Sequence, residues 1–347
     1  MRGFASDNHA GIHPDVLAAI IDANDGTHAP AYGADRWTTR AQELFVAHFG
    51  PEARGYLMFN GTGANVAAMR ACCRPWEGVI CADSAHVHVD EGGAPERMGG
   101  LKLLTAATAD GKLTPEDVVR LTVRVGDEHA VQARVVTVTQ STEMGTVYSV
   151  PELRALAGTA HDRGLVLHVD GARLANAAVA LGEGLRQTTT DAGVDVVTFG
   201  ATKNGALGAE AVVFLTPGLD DGFRYLRKQS MQLASKGRFL AAQVIALLED
   251  GLWQRTAAHA NAMAARLASG VAGLPDIRVT QAVQANAVFA ILPPTVTAAL
   301  VGDWPFYVWD EHTGEVRWMC SWDTTADEVD AFVAAIAAAT SASPGGG

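Results

Sequence analysis

A single lysine stands in the apolar stretch VVTFGATKNGALGAEAVVF, which covers residues 196–214. The segments on either side of Lys203 have the composition of buried strands, so a free charge there would be unfavourable. An amine among apolar side chains loses affinity for its proton, and the neutral amine attacks carbonyl carbon. Alternatively, the side chain extends along the apolar surface and reaches solvent. The first interpretation makes Lys203 a candidate nucleophile.

A carboxylate stands at the end of another predicted strand. Asp170 follows LVLHV directly, and Arg173 comes shortly after it in DGARLANA. A buried carboxylate is unfavourable unless a cation or a protonated ligand nitrogen pairs with it. An ion pair with Arg173 that caps the next helix is the alternative to a ligand contact.

A glycine-rich turn supplies a candidate anion site. In NGTGANVAAM, Gly61 and Gly63 flank Thr62 between a predicted strand and a predicted helix. Exposed backbone amides, a hydroxyl and a helix N-terminus together bind anions, and phosphate is their usual ligand. Glycine at a strand-to-helix turn is also ordinary chain punctuation, so this motif alone is a weak signal.

Two histidines and several acids follow a further predicted strand in VICADSAHVHVDEGGAPE. If this segment is extended, His86 and His88 point in opposite directions, and only one of them faces a given site. A metal site would also draw on the acids Asp90, Glu91 and Glu96. The spacing of these residues fits no standard ligand geometry, which disfavours a metal.

Together these four features match the requirements of pyridoxal phosphate. That cofactor needs a phosphate site, a carboxylate for its pyridine nitrogen, a lysine that forms a Schiff base, and a flat side chain against its ring. In open α/β sheets, ligands bind beyond the carboxyl ends of the strands, so successive strand ends would bring the four features together. We therefore predict pyridoxal phosphate as the cofactor.

These positions depend on an α/β fold. From about Tyr56 onward, strand-like and helix-like segments alternate, which indicates a mainly parallel sheet of at least six strands. From about Phe223 onward, long helical stretches lead to two more predicted strands and a final amphipathic helix. We predict a large α/β domain at residues 1–240, a small α+β domain at 241–341 and a flexible tail at 342–347.

Composition restricts the class of partner. The 347 residues are 48% apolar and carry a formal net charge of −12, so nucleic acids and anionic membranes would be repelled. A small-molecule partner is favoured. The sequence has neither a signal peptide nor a membrane-spanning stretch, so we expect a cytoplasmic protein. The four cysteines fit neither a disulfide framework nor a zinc site, and we expect reduced thiols.

Seven motifs occur in order along nearly the whole chain: SDNHAGIHPDV, AYGADRWT, NGTGANVAA, AHVHVDEGGAPE, HVDGARLANA, FGATKNG and VRWMCSWDTT. In these motifs the chain resembles the low-specificity L-threonine aldolases, which belong to the β-eliminating lyase group of fold-type I pyridoxal-phosphate enzymes. The resemblance implies a large domain with a mainly parallel, seven-stranded sheet and a small C-terminal α+β domain.

The resemblance implies roles for the candidate residues. Lys203 would hold the cofactor, Asp170 would pair with its pyridine nitrogen and His86 would stack on its ring. The residues implied for its phosphate are Gly61, Thr62 and Gly63.

It also implies a substrate site and an assembly. Arg173, Ser6 and Arg317 match positions that hold the substrate carboxylate or the cofactor's phenolic oxygen, for which a forked cation is suited. Tyr32 and Asp35 match a loop that a neighbouring subunit donates to the site. A homodimer or homotetramer with shared active sites is therefore implied.

Two positions depart from the family pattern. Many members carry a histidine near the substrate's β-hydroxyl, where this chain has Glu143 in QSTEMGTVY. Some relatives also place an arginine that reaches a phosphate across the subunit interface. In SMQLASKGRF, Lys236 or Arg238 would have to serve instead.

The implied reaction cleaves threonine, allo-threonine or phenylserine-type amino acids to glycine and an aldehyde. A base removes the β-hydroxyl proton so that the Cα–Cβ bond breaks. His86, or a water that it positions, is the first candidate for this base. Glu143 is the second, because a carboxylate needs a raised pKa to act near neutrality.

Competing functions remain open at this stage. With the same cofactor, the protein could be a β-eliminating lyase that releases pyruvate and ammonia, or an aminotransferase. A non-catalytic pyridoxal-phosphate protein would conflict with the complete set of Lys203, Asp170 and His86. A metal-dependent hydrolase would have to be built on His86, His88 and Glu96, against their spacing.

Overall fold

The computed structural model describes residues 3–342 and contains two β-sheets. The strands of the larger sheet are β1 (Arg54–Met58), β2 (Glu77–Ala82), β3 (Lys102–Ala106), β4 (Gln132–Thr139), β5 (Val166–Gly171), β6 (Val196–Gly200) and β7 (Glu210–Phe214). The strands of the smaller sheet are β8 (Arg278–Val279), β9 (Ala287–Ile291), β10 (Tyr307–Asp310) and β11 (Glu315–Met319).

Helices cover both sheets. Those that precede β5 are α1 (Pro14–Ala23), α2 (Arg36–Phe49), α3 (Gly61–Cys72), α4 (His86–Val89), α5 (Ala94–Arg97), α6 (Pro115–Leu121) and α7 (Val150–His161). Those that follow β5 are α8 (Leu174–Leu181), α9 (Phe223–Gln229), α10 (Arg238–Leu248), α11 (Leu252–Val271), α12 (Pro294–Leu300) and α13 (Ala326–Ala342). No helix within residues 3–342 is both long and apolar enough to cross a bilayer.

The larger sheet has the strand order β1-β7-β6-β5-β4-β2-β3. The pairs from β3 through β6 are parallel, and β7 is antiparallel to both of its neighbours. The prediction of a mainly parallel, seven-stranded sheet is therefore confirmed. Every residue of β5, β6 and β7 is buried, which explains their nearly continuous apolar runs. The carboxyl ends of β2, β4, β5 and β6 meet at one edge, where the antiparallel strand β7 begins.

Local residues determine where two of the helical segments begin or stop. Helix α7 begins with a capping box, in which the Ser149 hydroxyl accepts from the backbone amide of Glu152 and the Glu152 carboxylate accepts from the backbone amide of Ser149. The long helical stretch after Phe223 is interrupted, however. Asp250 and Gly251 have φ values of 53° and 68°, a left-handed conformation that ends α10 and reorients the chain into α11.

Two principal hydrophobic clusters underlie the two sheets. The last residue of the chain in the larger cluster is Ala257 in α11. The smaller cluster includes Ala264 from the same helix and Phe4 from the N-terminal segment. Helix α11 thus contributes to both cores. The boundary at residue 240 stays a prediction. Of the predicted tail, residue 342 ends α13, and 343–347 lie outside the described residues.

One glycine allows a close backbone approach at the edge of the larger sheet. Gly200 ends β6 beside the turn that follows β5, and a Cβ atom there would lie 2.7 Å from both the Cα and the carbonyl oxygen of Ala172. Because the obstacle is backbone, no side-chain rotation can relieve the contact. Glycine at this position therefore keeps the ends of β5 and β6 together.

Replacing Gly200 with alanine should destabilise the protein by about 1–3 kcal/mol, because the added methyl must displace main chain. Gly158→Ala in α7 is the matched control, since a Cβ there meets nothing within 4 Å and alanine favours helix. Urea unfolding of both variants gives the comparison. Equal midpoints for wild type and Gly200→Ala would show that the edge tolerates the extra atom.

Candidate active site

One cavity lies at the edge of the larger sheet where the parallel strands end. Its volume is ≈ 350 Å³, and its wall includes Lys203, Asp170, His86 and the turn formed by Gly61 and Thr62. These residues come from four separate strand-to-helix or strand-to-turn connections. The structure thus brings together the four features that the sequence places at strand ends.

Lys203 follows β6 in a short 3₁₀ turn, Thr202–Asn204. Asn204 anchors this turn by donating a hydrogen bond from Nδ2 to the carbonyl oxygen of Trp253 in α11, at 3.0 Å. The charge of Arg173 and burial both lower the pKa of Lys203, while Asp7, Asp170 and Glu210 oppose that effect. The amine is therefore held closer to its neutral, nucleophilic form than a lysine in water.

Asp170 is 4% exposed at the end of β5. Its Oδ1 accepts from the backbone amide of Ala172 at 3.0 Å, and its Oδ2 accepts from Nδ2 of Asn65 at 2.7 Å. Among the described residues no cation lies within ion-pair distance of this carboxylate. A protonated ring nitrogen would supply the missing partner.

Arg173 pairs with a different acid, so the alternative of an Asp170–Arg173 ion pair is wrong. Its Nε and Nη2 donate to the two carboxylate oxygens of Asp7 at 2.7 and 2.9 Å. Burial alone would raise the pKa of Asp7, but Arg173 outweighs it and the pKa lies below the usual value. The edge of the Arg173 guanidinium that carries Nε and Nη2 is thus already occupied by Asp7 of the same chain. Sequence reasoning did not identify Asp7, because nothing local distinguishes an acid whose partner is 166 residues away.

The glycine-rich turn forms the N-terminus of α3. Asn60 caps this helix by accepting from the amide of Gly63 at 2.7 Å. A Cβ on Gly63 would lie 2.3 Å from Nε2 of Gln232, whereas the space around Gly61 is open. The helix N-terminus thus has room for an anion beside Gly61 and Thr62, where its first amides lack helical partners.

His86 stands at the start of the short helix α4, so the prediction of an extended segment here is wrong. The neighbours of β2 stop pairing at Ala82, and beyond that point no strand is available to keep the chain extended. On a helix, His86 and His88 are separated by about 200°, so they still point in different directions. Only His86 lines the cavity.

A hydrogen-bonded network links His86 to Asp170. Oε1 of Glu91, a 5% exposed side chain, lies 3.1 Å from Nδ1 of His86 and accepts from Nδ2 of Asn65 at 3.0 Å. Asn65 also donates to Asp170. The hydrogen bond that Glu91 accepts from His86 raises the pKa of His86, against the opposing effect of burial. Sequence reasoning missed Asn65, whose place in NGTGAN carries no signal of burial.

Glu143 lies behind the segment that carries His86. Its Oε1 accepts from the backbone amide of His86 and from the hydroxyl of Thr139, both at 2.7 Å. Its Oε2 is shielded from solvent and has no hydrogen-bond partner among the described residues, and burial raises the pKa of this carboxyl. The lining of the cavity, over the described residues, includes His86 but not Glu143.

Arg317 on β11 brings a cation from the smaller sheet. Its Nη2 donates to the carbonyl oxygen of Ala5 at 3.2 Å, and its guanidinium lies 4.5 Å from the ring centre of Trp309. Its buried Nε has no hydrogen-bond partner in the part of the chain that the structure describes. Burial together with the charge of Arg173 lowers the pKa of Arg317 to about 10. A guanidinium with a free buried donor fits an anionic ligand group. Ser6, in the adjoining N-terminal segment, caps a short turn through Asn8.

Three further predicted site residues lie away from this cavity in the same chain. Tyr32 is 52% exposed and has a φ of 59°. Asp35 uses both carboxylate oxygens on Thr38, where it caps α2, so it is committed to a local structural role. Lys236 is exposed and lines a separate cavity with Arg238. Participation of these residues in a site on a neighbouring subunit stays a prediction.

The residues around the cavity fit pyridoxal phosphate. The helix N-terminus, which has open space beside it, would bind the phosphate of the cofactor. The carboxylate that has no cation among the described residues would pair with the pyridine nitrogen, and Lys203 would bond to the carbonyl carbon. Across residues 3–342, no three His, Cys, Asp or Glu side chains are arranged to hold a metal ion.

Sequence comparison places the chain among known enzymes. Residues 3–292 match the β-eliminating lyase family. The chain is 45% identical to a low-specificity L-threonine aldolase of a Pseudomonas species over 341 residues, which is 98% of each chain. It is also 45% identical to the low-specificity L-threonine aldolase of Pseudomonas aeruginosa, over 94% of each chain.

Comparison with solved structures gives the same family as the sequence comparison. The threonine aldolase of Leishmania major superposes with a TM-score of 0.92 at 32% identity and covers 97% of this chain and 99% of that one. An aspartate aminotransferase from Thermus thermophilus, at 18% identity and a TM-score of 0.70, shares the fold. The chain belongs to the β-eliminating lyase family and, within it, to the low-specificity L-threonine aldolases, which are pyridoxal-phosphate-dependent lyases.

Proposed function

We propose that the protein cleaves L-threonine, L-allo-threonine and related β-hydroxy amino acids, including phenylserine types, to glycine and an aldehyde. The observation that carries this proposal is the convergence of Lys203, Asp170 and His86 on one cavity at the carboxyl edge of the sheet. The names of the relatives that match over nearly the whole chain support the same reaction.

The cofactor would be held by residues already described. The N-terminus of α3 at Gly61, Thr62 and Gly63 would bind the phosphate, and Lys203 would bind the carbonyl carbon. Asp170 would hold a proton on the pyridine nitrogen. When bound, pyridoxal phosphate withdraws electrons from Cα of the amino acid and so stabilises the charge left there when the Cα–Cβ bond breaks.

Arg317 would orient the substrate by its carboxylate. Its buried Nε, which has no partner among the described residues, and its contact with the N-terminal segment through the carbonyl oxygen of Ala5 support this role. Arg173 is a weaker candidate for direct substrate contact, because Asp7 already occupies one fork of its guanidinium. Ser6 would contribute a hydroxyl beside Arg317.

His86 would take the β-hydroxyl proton, directly or through a water. His86 lines the cavity, and Glu91 on its Nδ1 would fix the ring and stabilise the imidazolium that forms. Glu143 is the second candidate for this base. Its raised pKa favours such a role, but within residues 3–342 its Oε1 accepts from the Thr139 hydroxyl and from the backbone amide of His86, and it does not line the cavity.

β-Elimination and transamination are the rival reactions on the same scaffold. The likeness to an aminotransferase is at 18% identity and extends to the fold alone. Product analysis separates the three reactions, since only aldol cleavage yields glycine with an aldehyde.

We also propose a cytoplasmic homo-oligomer, a dimer or a tetramer, in which a neighbouring subunit completes each active site. Tyr32 and Asp35 stand on the loop that would be donated, and Lys236 would reach the phosphate of the neighbour. The exposure of Tyr32 and of Phe59, which lines the mouth of the cavity, supports a covering partner surface.

Replacing Lys203 with alanine should remove both the visible absorbance of the bound cofactor and its trapping by borohydride, and should abolish glycine release from threonine. Lys112→Ala is the matched control, because Lys112 pairs with Glu152 away from the cavity and should leave all three unchanged. A wild type that stays colourless and inert with added pyridoxal phosphate would refute the proposal.

Replacing Glu91 with glutamine should move the acidic limb of the kcat/KM profile to lower pH by about one unit. The sign follows because Glu91 raises the pKa of His86, and a base acts only when neutral, above its pKa. Glu143→Gln is the comparison and should leave the limb in place. If the limb instead moves with Glu143→Gln and not with Glu91→Gln, then Glu143 is the base.

Mixing two inactive variants should restore activity if active sites are shared. Tyr32→Ala and Lys203→Ala subunits are unfolded, mixed in equal amounts and refolded together. In a dimer, half of the refolded molecules contain one subunit of each kind, and one of the two sites in such a molecule is intact. The mixture should therefore regain roughly a quarter of the wild-type activity. Each variant refolded alone should stay inactive. If the mixture gains nothing while native mass measurement detects mixed oligomers, Tyr32 does not act across the interface.

A further inference from the structure

We propose that Glu210 is the proton partner of Lys203: its carboxylate takes up the proton that Lys203 releases on becoming a nucleophile, and returns it afterwards. The inference rests on the proposed function, because it assigns a proton to the lysine of that reaction. Neither the family match nor the motifs of the sequence single out this glutamate.

Glu210 lies at the active edge of the sheet because β7 runs antiparallel to β6. As the first residue of β7 it stands opposite Gly200, the last residue of β6, and opposite Met58 of β1. It is 7% exposed and lines the same cavity as Lys203. A carboxyl group at the start of a central apolar strand is unfavourable unless the site uses it.

The local contacts of Glu210 tie it to the turn that carries Lys203. Its Oε2 accepts from the backbone amide of Ala201 at 3.3 Å, and the nearby Thr202 side chain favours its charged form. Ala201 and Thr202 immediately precede Lys203, so the carboxyl and the amine are held by one short segment. Among residues 3–342, no arginine, lysine or histidine forms an ion pair with Glu210 within 4.0 Å.

The other acids near Lys203 are already engaged. The charges that favour its protonated form are those of Asp7, Asp170 and Glu210. Asp7 binds Arg173 through both oxygens, and Asp170 accepts from Asn65 and would pair with the pyridine nitrogen. Of the two acids in this set that have no ion-pair partner among the described residues, Asp170 and Glu210, only Glu210 contacts the turn that carries Lys203.

The charges that surround this pair make a shared proton favourable near neutral pH. Arg173 and burial lower the pKa of Lys203. The charge of Lys203 in turn opposes the rise in the pKa of His86. Burial raises the pKa of Glu210 to about 7, with Asp170 acting in the same direction and Lys203 against it. The two pKa values are thus displaced toward one another, which lowers the free-energy difference between the two positions of the proton.

The transfer conserves both charge and protons. Lys203 and the Glu210 carboxylate lie more than 4.0 Å apart, so the ammonium gives up its proton through an intervening hydroxyl. The transfer leaves a neutral amine with its lone pair free and a neutral carboxyl group. The reverse transfer restores the ammonium and the carboxylate. Thr202 precedes Lys203 in the chain and lines the cavity together with Lys203 and Glu210, so its hydroxyl is the group through which the proton can pass.

A titration of Lys203 itself tests the pairing. The lysines of the cofactor-free full chain are methylated with ¹³C-formaldehyde and followed by NMR over pH, with the Lys203 signal assigned by its loss in Lys203→Ala. In wild type, the signal should show two inflections, one of them near pH 7 from Glu210. In Glu210→Gln, which preserves size and the bond from Ala201, the inflection near pH 7 should vanish. The remaining midpoint should fall by about one pH unit, because an anion that favours the ammonium is gone.

Two further variants complete the test. Glu315→Gln is the matched control: Glu315 is a buried acid on β11 that accepts from the Thr280 hydroxyl, and its loss should leave the Lys203 curve unchanged. Thr202→Val should move the inflection near pH 7 upward, because it removes a hydroxyl that favours the charged form of Glu210 and so lowers its pKa. If Glu210→Gln fails to fold, Thr202→Val still tests the proposal.

The outcomes separate this inference from the proposed function. If the Lys203 titration curves of wild type and Glu210→Gln superimpose, the pairing is overturned even if threonine is cleaved. If Glu210→Gln does not fold, superimposable curves for wild type and Thr202→Val overturn it in the same way. A shifted curve in a protein that releases no glycine supports the proton pairing and refutes the aldolase reaction. A shifted curve in an active aldolase supports both.

Discussion

The buried ion pair between Arg173 and Asp7 is the interaction on which the site depends. It joins the N-terminal segment to the turn after β5, and Asp7 also accepts from Asn286, which precedes β9 of the smaller sheet. Three distant parts of the chain therefore meet at one carboxylate. Removing either partner would leave an uncompensated buried charge, so the pair holds the N-terminal segment in place while its cation depresses the pKa of Lys203.

The electrostatics of the cavity follow from how its acids are divided. Asp7 neutralises Arg173, while Asp170 shares the Asn65 amide with Glu91, which in turn supports His86. Each carboxylate thus has a defined donor set, although they lie close together in a region of low dielectric. Because like charges so near one another are unfavourable, hydrogen bonds from neutral amides spread the negative charge and keep the group of acids compatible with folding.

Strand direction decides which residues can reach this region. Parallel strands β4, β5 and β6 deliver residues such as Asp170 and Lys203 from their carboxyl ends, whereas β7 delivers Glu210 from its amino end because it runs the other way. An antiparallel strand beside a parallel set thus contributes an acid from its first position. Gly200 makes the arrangement compact, since the main chain at Ala172 leaves no room for a side chain there.

The sequence by itself determined the α/β architecture, and it placed Lys203, Asp170 and the turn at Gly61 at the strand ends that line the cavity, because strand ends, buried charges and glycine turns are local patterns. It could not determine that Arg173 binds Asp7 instead of Asp170, that Asn65 bridges two acids, or that Glu210 enters the cavity. Those partners lie far apart in the chain, and only strand order and the packing of the two cores bring them into hydrogen-bonding distance. The helical form of the segment at His86 was likewise decided by tertiary structure, because no neighbouring strand extends far enough to pair with it.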